Sequence, residues 1–121
     1  MKTQEIANNL VQWCNEGEEQ KCYEQLYSPD IVSIEMEGSE HQVSKGMDAI
    51  AKKGEWWQEN FEVHSAKTSE PTIADNWFSV RHTMDITHKP SGQRSTMEEL
   101  GVYEVKDGKI IKEQFFYNTE E

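Results

Sequence analysis

Residues 76–88 of this chain read Asn-Trp-Phe-Ser-Val-Arg-His-Thr-Met-Asp-Ile-Thr-His. From Phe78 to Ile86, apolar side chains and one histidine, His82, occupy every second position, and polar side chains occupy the positions between them. The side chains of a β-strand point alternately to its two faces, so this period of two predicts a strand with one buried face. His82 is the one polar residue on that face.

Further strands surround this segment. Residues 89–92 read Lys-Pro-Ser-Gly and residues 106–108 read Lys-Asp-Gly, and both sequences are typical of tight turns. They predict strands over 94–105 and 109–117, and an earlier strand is predicted over 61–68. The C-terminal half is therefore expected to be an antiparallel β-meander.

The N-terminal half is predicted to be mainly helical. Apolar residues recur at helical spacing over 3–15, 18–27 and 46–60, while 31–36 is rich in β-branched residues and predicts a strand. The resulting order is helix, helix, strand, helix and four strands. This order predicts an α+β fold in which three helices pack on the concave side of a curved antiparallel sheet. A chain of 121 residues without a linker or low-complexity segment is expected to form one domain, 1–121.

Composition and charge exclude several classes of partner. The chain has 23 Asp and Glu against 12 Lys and Arg, a net charge of −11, which repels phosphate backbones and anionic lipid surfaces. We therefore expect no nucleic acid and no membrane partner. No stretch is apolar enough to span a bilayer, and residues 1–9 do not resemble a signal peptide, so a cytoplasmic location is expected.

Strong sequence motifs for cofactors and metals are missing. No CxxC, HExxH, GxGxxG or P-loop spacing occurs, so we expect neither a nucleotide cofactor nor a metal ion. His82 and several glutamates are acceptable metal ligands, but no closely spaced pair of ligands is present.

Three landmarks coincide along the chain. A glycine followed by two glutamates at 17–19 separates the first two helices, and Leu-Tyr-Ser-Pro-Asp-Ile-Val at 26–32 leads into the first strand. Gly-Val-Tyr-Glu-Val-Lys-Asp-Gly-Lys-Ile at 101–110 precedes the last strand. In this order they resemble the SnoaL-like branch of the nuclear transport factor 2-like superfamily.

The resemblance implies a particular architecture. Three helices from the N-terminal half would close a cone-shaped sheet around a pocket for a small, mainly apolar molecule, and many members of the superfamily are homodimers. The members include isomerases, cyclases, dehydratases and hydrolases, together with proteins that only bind a ligand or dimerise. The side chains that face the pocket must therefore decide the function.

The resemblance also implies which residues face the pocket. Glu35 falls where ketosteroid isomerases carry their general-base carboxylate. Tyr103 would face inward on the fourth predicted strand, and Glu113, Phe115 and Tyr117 would do so on the last.

Departures from the pattern exclude two known activities. Leu10 and Gly101 occupy the positions of the oxyanion-hole tyrosine and the protonated aspartate of ketosteroid isomerase. His82, Met84 and Phe115 replace the arginine and the two aspartates of limonene epoxide hydrolase. Neither steroid isomerisation nor epoxide hydrolysis by that mechanism is expected.

The partner of His82 depends on the register of the hairpin around the Lys-Pro-Ser-Gly turn. A four-residue turn places His82 opposite Glu99, with both side chains on the apolar face. A bulge at Gly92 would instead place Thr83 opposite Glu99. We expect the four-residue turn.

Carboxyl groups in an aromatic-lined interior indicate acid–base chemistry. Desolvation and mutual repulsion would raise the pKa of at least one of Glu35, Glu99 and Glu113 and give a proton acceptor usable near neutral pH. His82 could pair with Glu99 or relay protons. The candidate catalytic residues are Glu35, Glu113, His82 and Glu99, and the candidate ligand-binding residues are Tyr103, Tyr117, Phe115, Trp57 and Met84.

Two interpretations stay open at this stage. In the first, the chain is a cofactor-independent enzyme in which Glu35 or Glu113 accepts a proton and tyrosine hydroxyls bind a substrate oxygen. In the second, His82 and Glu99 form a satisfied buried pair in a noncatalytic domain for ligand binding or dimerisation. Under both, we expect a homodimer through the outer sheet face, where Trp77, Leu100, Val102 and Phe116 form an apolar set.

Overall fold

The computed structural model describes residues 1–119, in which three helices pack against one seven-stranded sheet. In chain order the elements are α1 (Thr3–Asn15), α2 (Glu19–Leu26), β1 (Tyr27–Ile34), β2 (Val43–Lys45), α3 (Met47–Asn60), β3 (Phe61–Thr68), β4 (Thr72–Ala74), β5 (Trp77–His88), β6 (Gln93–Lys106) and β7 (Lys109–Phe116). The predicted α+β fold is confirmed.

The helices form for the reasons that their sequences indicate. In α1 the residues Ile6, Ala7 and Leu10 are buried and lie on one helical face, which packs on the sheet. The helix ends before Gly17, whose backbone φ of +76° is a left-handed conformation that glycine adopts without steric cost. The chain can therefore reverse at once into the short helix α2, which buries Cys22 and Leu26.

The sheet is curled and does not close, with strand order β2-β1-β7-β6-β5-β3 and with β4 paired to β5. Strands β1 and β7 run parallel, whereas the other pairs are antiparallel, so the expected antiparallel sheet is in fact mixed. The sequence patterns describe neighbours along the chain, and the pairing of β1 with the last strand is a contact between distant segments. It could not be derived from those patterns.

Two strands were missed by the sequence analysis, and one begins earlier than expected. Strands β2 and β4 have three residues each, which is too short to show a period-two pattern. Strand β1 begins at Tyr27, directly after α2, and ends at Ile34. Glu35 therefore follows β1 instead of lying within it.

The predicted register of the central hairpin is confirmed. His82 lies opposite Glu99, and Met84 lies opposite Met97, as the four-residue turn requires. Gly92 ends this turn with a φ of +72°. The apolar face of β5 therefore meets the face of β6 that carries Glu99.

The core lies between the concave face of the curled sheet and the helices. The largest fully buried side chains are those of Phe78, Ile6, Leu10, Leu26, Ile31, Ile110 and Ser33. Helix α1 contacts β3, β4 and β5, and α3 contacts β1, β2 and β3. Within residues 1–119, no helix has the length and hydropathy needed to cross a membrane.

Candidate functional site

A buried carboxyl group joins β7 to β1. Glu113 is 4% exposed and lies beside Ser33 of β1. Tyr27 donates a hydrogen bond to its Oε1 atom, and the Ser33 hydroxyl donates to Oε2 at 2.6 Å. Burial raises the pKa of Glu113, while the ammonium group of Lys53 and these two hydroxyls oppose the rise. Because both carboxylate oxygens are occupied, Glu113 holds the two strands together.

Lys53 brings a positive charge into this interior. Its Nζ atom donates to the Ser33 hydroxyl at 2.8 Å, forms an ion pair with Glu35, and lies 5.1 Å from the ring centroid of Phe115. The sequence analysis missed this residue. Lys53 lies three residues after Ile50 and four before Trp57, on the apolar stripe of α3, and a lysine in such a stripe is the signal that could have revealed it.

Glu35 lies at the point where β1 ends. Its side chain is 13% exposed, and it accepts a hydrogen bond from the Tyr117 hydroxyl at 2.7 Å in addition to the ion pair with Lys53. Burial, with a further contribution from Glu35, raises the pKa of Tyr117 to about 12, so its hydroxyl stays protonated and donates. Both oxygens of the Glu35 carboxylate are therefore engaged within the protein.

His82 has partners other than the expected one. Its Nδ1 atom lies 2.9 Å from the Thr68 hydroxyl, and its Nε2 atom lies 3.0 Å from the Tyr103 hydroxyl. Burial lowers the pKa of His82 to about 4, so the ring is neutral near pH 7. The expected His82–Glu99 pair is not formed, because both ring nitrogens already bond to neighbours on β3 and β6.

Tyr103 is part of the packed interior. It is 2% exposed, and its ring stacks on Phe78 with centroids 4.7 Å apart. Burial raises the pKa of its hydroxyl well above the ordinary value, and that hydroxyl bonds to His82. The enzyme interpretation expected the hydroxyls of Tyr103 and Tyr117 to bind a substrate oxygen. In this structure the Tyr103 hydroxyl bonds to His82 and the Tyr117 hydroxyl donates to Glu35.

Glu99 is the exception among the interior carboxyl groups. It is half-buried on the inner face of β6, and no other described residue forms a hydrogen bond with its carboxyl group. Burial raises the pKa of Glu99 to about 8; the negative charge of Glu35 adds to this rise, and the ammonium group of Lys53 opposes it. Glu99 can therefore gain or lose a proton near neutral pH.

The surroundings of Glu99 are apolar and half-buried. Met84 and Met97 lie opposite each other on β5 and β6, one inward position closer to the hairpin turn at 89–92 than His82 and Glu99. On β7, Phe115 lies opposite Gly101. Trp57, at the end of α3, stacks on Phe61 with ring centroids 4.2 Å apart. Glu99, to which no other described residue forms a hydrogen bond, thus shares the inner face of the β5–β6 pair with Met84 and Met97.

Two further expectations concern a ligand pocket and a metal site. The core residues fill the space between the sheet and the helices, and two open depressions on the surface lie away from Glu99, one beside Met1 and Gly108 and another beside Ser79 and Leu100. The expected pocket for a small molecule is therefore not shown in the described part of the chain. Within the described part of the chain, no three His, Cys, Asp or Glu side chains lie close enough together to hold a metal ion.

Comparison with known families gives one match that covers almost the whole chain. The sequence profile of the SnoaL-like domain matches residues 1–117. No curated protein gives a significant sequence match.

Solved structures show the same fold. A protein from Mesorhizobium loti is 38% identical with a TM-score of 0.92, over 97% of this chain and 100% of its own. It is provisionally described both as a SnoaL-like polyketide cyclase and as a carbohydrate phosphatase. A nuclear transport factor 2-like protein from Burkholderia thailandensis is 16% identical with a TM-score of 0.84, over 98% of this chain and 92% of its own. A provisionally described polyketide cyclase from Pseudomonas putida is 17% identical with a TM-score of 0.72, over 98% of this chain and 92% of its own.

Proposed function

The chain belongs to the SnoaL-like domain family, and from that premise we propose that it is a cofactor-independent acid–base catalyst for a small, mainly apolar carbonyl compound. The ligand would bind beside Glu99, on the concave face of the sheet. Glu99 would transfer the proton. The observation that carries this proposal is the half-buried Glu99 carboxyl group, which has no hydrogen-bond partner among residues 1–119 and a pKa of about 8.

Glu99 suits this role better than the two carboxylates that the sequence favoured. Both oxygens of Glu113 accept hydrogen bonds from Tyr27 and Ser33, and both oxygens of Glu35 are engaged by Lys53 and Tyr117. A group that transfers a proton needs a free oxygen within reach of the substrate and a pKa near the working pH. Of these carboxyl groups, Glu99 is the one that accepts no hydrogen bond from a described residue and whose pKa, about 8, lies near neutral pH.

The proposed step is the removal of a proton next to a carbonyl group. The C–H bond breaks, its proton goes to a Glu99 oxygen, and its electron pair moves through the new C=C bond to the carbonyl oxygen, which becomes an enolate. The reverse transfer returns the proton to carbon. The ammonium group of Lys53 would favour the negative charge of the enolate through its field in this weakly polar interior.

The description of the relative from Mesorhizobium loti supports this chemistry in part. Ring closure of a polyketide by an aldol reaction begins with the same proton transfer. The alternative in that description, a carbohydrate phosphatase, would have to bind a phosphate group. The net charge of −11 and the acidic interior of this chain oppose phosphate binding.

Proton exchange in D₂O tests the proposal without knowledge of the natural substrate. Cyclohexanone and 2-tetralone serve as probes, and loss of their α-proton NMR signals measures the rate. We expect wild-type protein to accelerate exchange of at least one probe, with a rate that rises with pH and levels off above about pH 8. The Glu99→Gln variant is expected to lower this rate at least about 100-fold.

The neighbouring residue provides the matched control. Glu98 lies on the opposite, exposed face of β6, so Glu98→Gln should leave the rate unchanged. Equal rates for the Glu99→Gln variant and wild type would rule out Glu99 as the proton-transferring group.

The second candidate function is a noncatalytic domain for ligand binding or dimerisation. It is favoured by the packed core between the sheet and the helices, which limits the space for a substrate. Binding of a ketone, detected by NMR shifts of Met84 and Met97, with no acceleration of exchange for either probe would select it over the enzyme.

We further propose that the protein is a homodimer through its outer sheet face. Trp77, Leu100 and Phe116 are 38%, 52% and 42% exposed there, and a second copy would cover them. A single domain over 1–121 and a cytoplasmic location stay predictions from the sequence.

A further inference from the structure

The two cysteines of the chain lie where α1 and α2 pack together. The Sγ atom of Cys22 lies 4.0 Å from the carbonyl oxygen of Leu10 in α1. Leu10 precedes Cys14 by about one helical turn, and the side chains of Cys14 and Cys22 form a hydrogen bond. Both residues are free cysteines. A pair of reduced thiols therefore bridges the boundary between the two helices.

The connection between the helices holds this pair in place. The Gly17 amide donates to the carbonyl oxygen of Cys14 at 3.2 Å. The Glu18 amide donates to the carbonyl oxygen of Trp13 at 2.7 Å. At the positions directly before the two cysteines, the ammonium group of Lys21 lies 4.5 Å from the ring centroid of Trp13. These contacts hold α2 against the end of α1 with the two thiols side by side.

The two thiols differ in exposure and in acidity. Cys14 is half-buried, whereas Cys22 is 3% exposed. The hydrogen bond from Cys22 lowers the pKa of Cys14, although burial and the negative charge of Glu19 oppose this fall. The Thr68 hydroxyl is a second hydrogen-bond donor to Cys14. The bond between the cysteines and burial together raise the pKa of Cys22. Cys14 is therefore the more accessible thiol and the one that ionises first.

We propose that Cys14 and Cys22 form a redox-active site, in which hydrogen peroxide converts the two thiols into a disulfide between α1 and α2. The Cys14 thiolate attacks one peroxide oxygen, the O–O bond breaks, and the other oxygen leaves as hydroxide, which becomes water on taking a proton. The Cys22 sulfur then attacks the sulfenic acid on Cys14. The S–S bond forms, the S–O bond breaks, and the thiol proton leaves with the hydroxyl group as water. This site is independent of Glu99.

Peptide mapping tests the proposal, because trypsin cuts between the two cysteines at Lys21. The peptides are 3–21, which contains Cys14, and 22–45, which contains Cys22. After treatment with hydrogen peroxide and blocking of free thiols with N-ethylmaleimide, we expect wild-type protein to give these peptides as a disulfide-linked pair. The pair should come from the single-chain band of a non-reducing gel. Dithiothreitol should separate the two peptides again.

Two serine variants separate the roles of the cysteines. Cys22→Ser blocks the second step, so peptide 3–21 should carry a sulfenic acid that dimedone traps. Cys14→Ser removes the thiol that peroxide attacks, and its dimedone labelling should be at least about tenfold lower than that of Cys22→Ser. Equal labelling of the two variants would overturn the assignment of Cys14 as the attacking thiol.

Free glutathione provides the reference for the wild-type reaction. If both cysteines of the folded protein stay reduced at a peroxide concentration that fully oxidises glutathione, the redox site is disproved and the thiols are core residues only. Disulfides found only between chains would have the same meaning. If circular dichroism shows that a serine variant does not fold, the linked peptide pair from wild type decides by itself.

Discussion

At the scale of single residues, Glu98 and Glu99 show how strand geometry gives neighbours different chemistry. Glu98 points outward, where its side chain is 60% exposed and lies 3.9 Å from the Arg81 guanidinium group. Glu99 points inward, where it has no hydrogen-bond partner in the described part of the chain and burial raises its pKa to about 8. Two residues of one type thus differ because successive side chains of a strand face opposite sides.

The raised pKa of Glu99 predicts a particular pH dependence of stability. Glutamate titrates near 4.5 in the unfolded chain and Glu99 near 8 in the folded protein. Between these values the folded state keeps a proton that the unfolded state has lost. The contribution of Glu99 to stability is therefore full below about pH 4.5 and is lost as the pH rises through about 8.

The Glu99→Gln variant, which cannot ionise, tests this dependence. We expect its free energy of unfolding to equal that of wild type near pH 5 and to exceed it by about 1–3 kcal/mol above pH 8. Urea unfolding at three pH values measures the difference. Glu98→Gln is the matched control, because it removes a carboxyl group from the exposed face of the same strand. A constant difference between variant and wild type across this range would contradict the assigned pKa.

At the scale of elements, α3 connects the helical layer to the acidic interior through one residue. Lys53 stands on the apolar stripe of this helix and reaches Glu35, directly after β1, and Ser33 within it. Since Ser33 in turn donates to Glu113 on β7, a chain of polar contacts runs from α3 through β1 to β7. Helix α3 therefore packs on the sheet and, through Lys53, neutralises part of the negative charge of the interior.

The Lys53→Met variant tests this role of α3. It leaves the Glu35 carboxylate without its cation, so we expect a loss of about 1–3 kcal/mol in the free energy of unfolding near neutral pH. Because the Lys53 ammonium group lowers the pKa of Glu99, the pH profile of proton exchange should also move to higher pH. Urea unfolding and the exchange assay measure the two effects.

The adjacent lysine is the control for α3. Lys52 is exposed, and Lys52→Met should change neither measurement. A Lys53→Met variant with wild-type stability and an unshifted exchange profile would show that Lys53 does not organise the interior charges.

At the scale of the whole molecule, the two faces of the sheet carry different kinds of side chain. The concave face carries the core and Glu99, while the convex face carries exposed Trp77, Leu100 and Phe116. Exposed apolar side chains grouped on one sheet face are costly in water and are typical of an interface. This separation would leave the concave face of each sheet outside the dimer interface.

A charge at the centre of the convex face tests the dimer. Leu100 is 52% exposed, and Leu100→Lys would place two like charges in the interface of a symmetric pair. At about 20 µM, light scattering after size exclusion should give a dimer for wild type and a monomer for Leu100→Lys. A dimer with a micromolar dissociation constant is mostly formed at this concentration, and it dissociates when the substitution raises that constant. Val63→Lys, at an exposed position on β3 outside this patch, should stay dimeric. A monomeric wild type would disprove the proposed interface.

The sequence by itself determined the three helices, the β-meander and the register that brings His82 opposite Glu99. These features depend on helical and strand periodicity and on turn length, which act between residues close along the chain. The inward orientation of Glu113 and Phe115 also followed, from the resemblance to a known family.

Only the tertiary structure decided how the inward side chains pair. It paired β1 with β7 in parallel, formed the Lys53–Glu35 ion pair and bonded His82 to Thr68 and Tyr103. It also left Glu99 without a hydrogen-bond partner among the described residues. Hydrogen bonds and ion pairs form over a few ångströms between residues that are distant in sequence. Their partners, and the pKa values that burial and neighbouring charges produce, are therefore set by packing and not by local pattern.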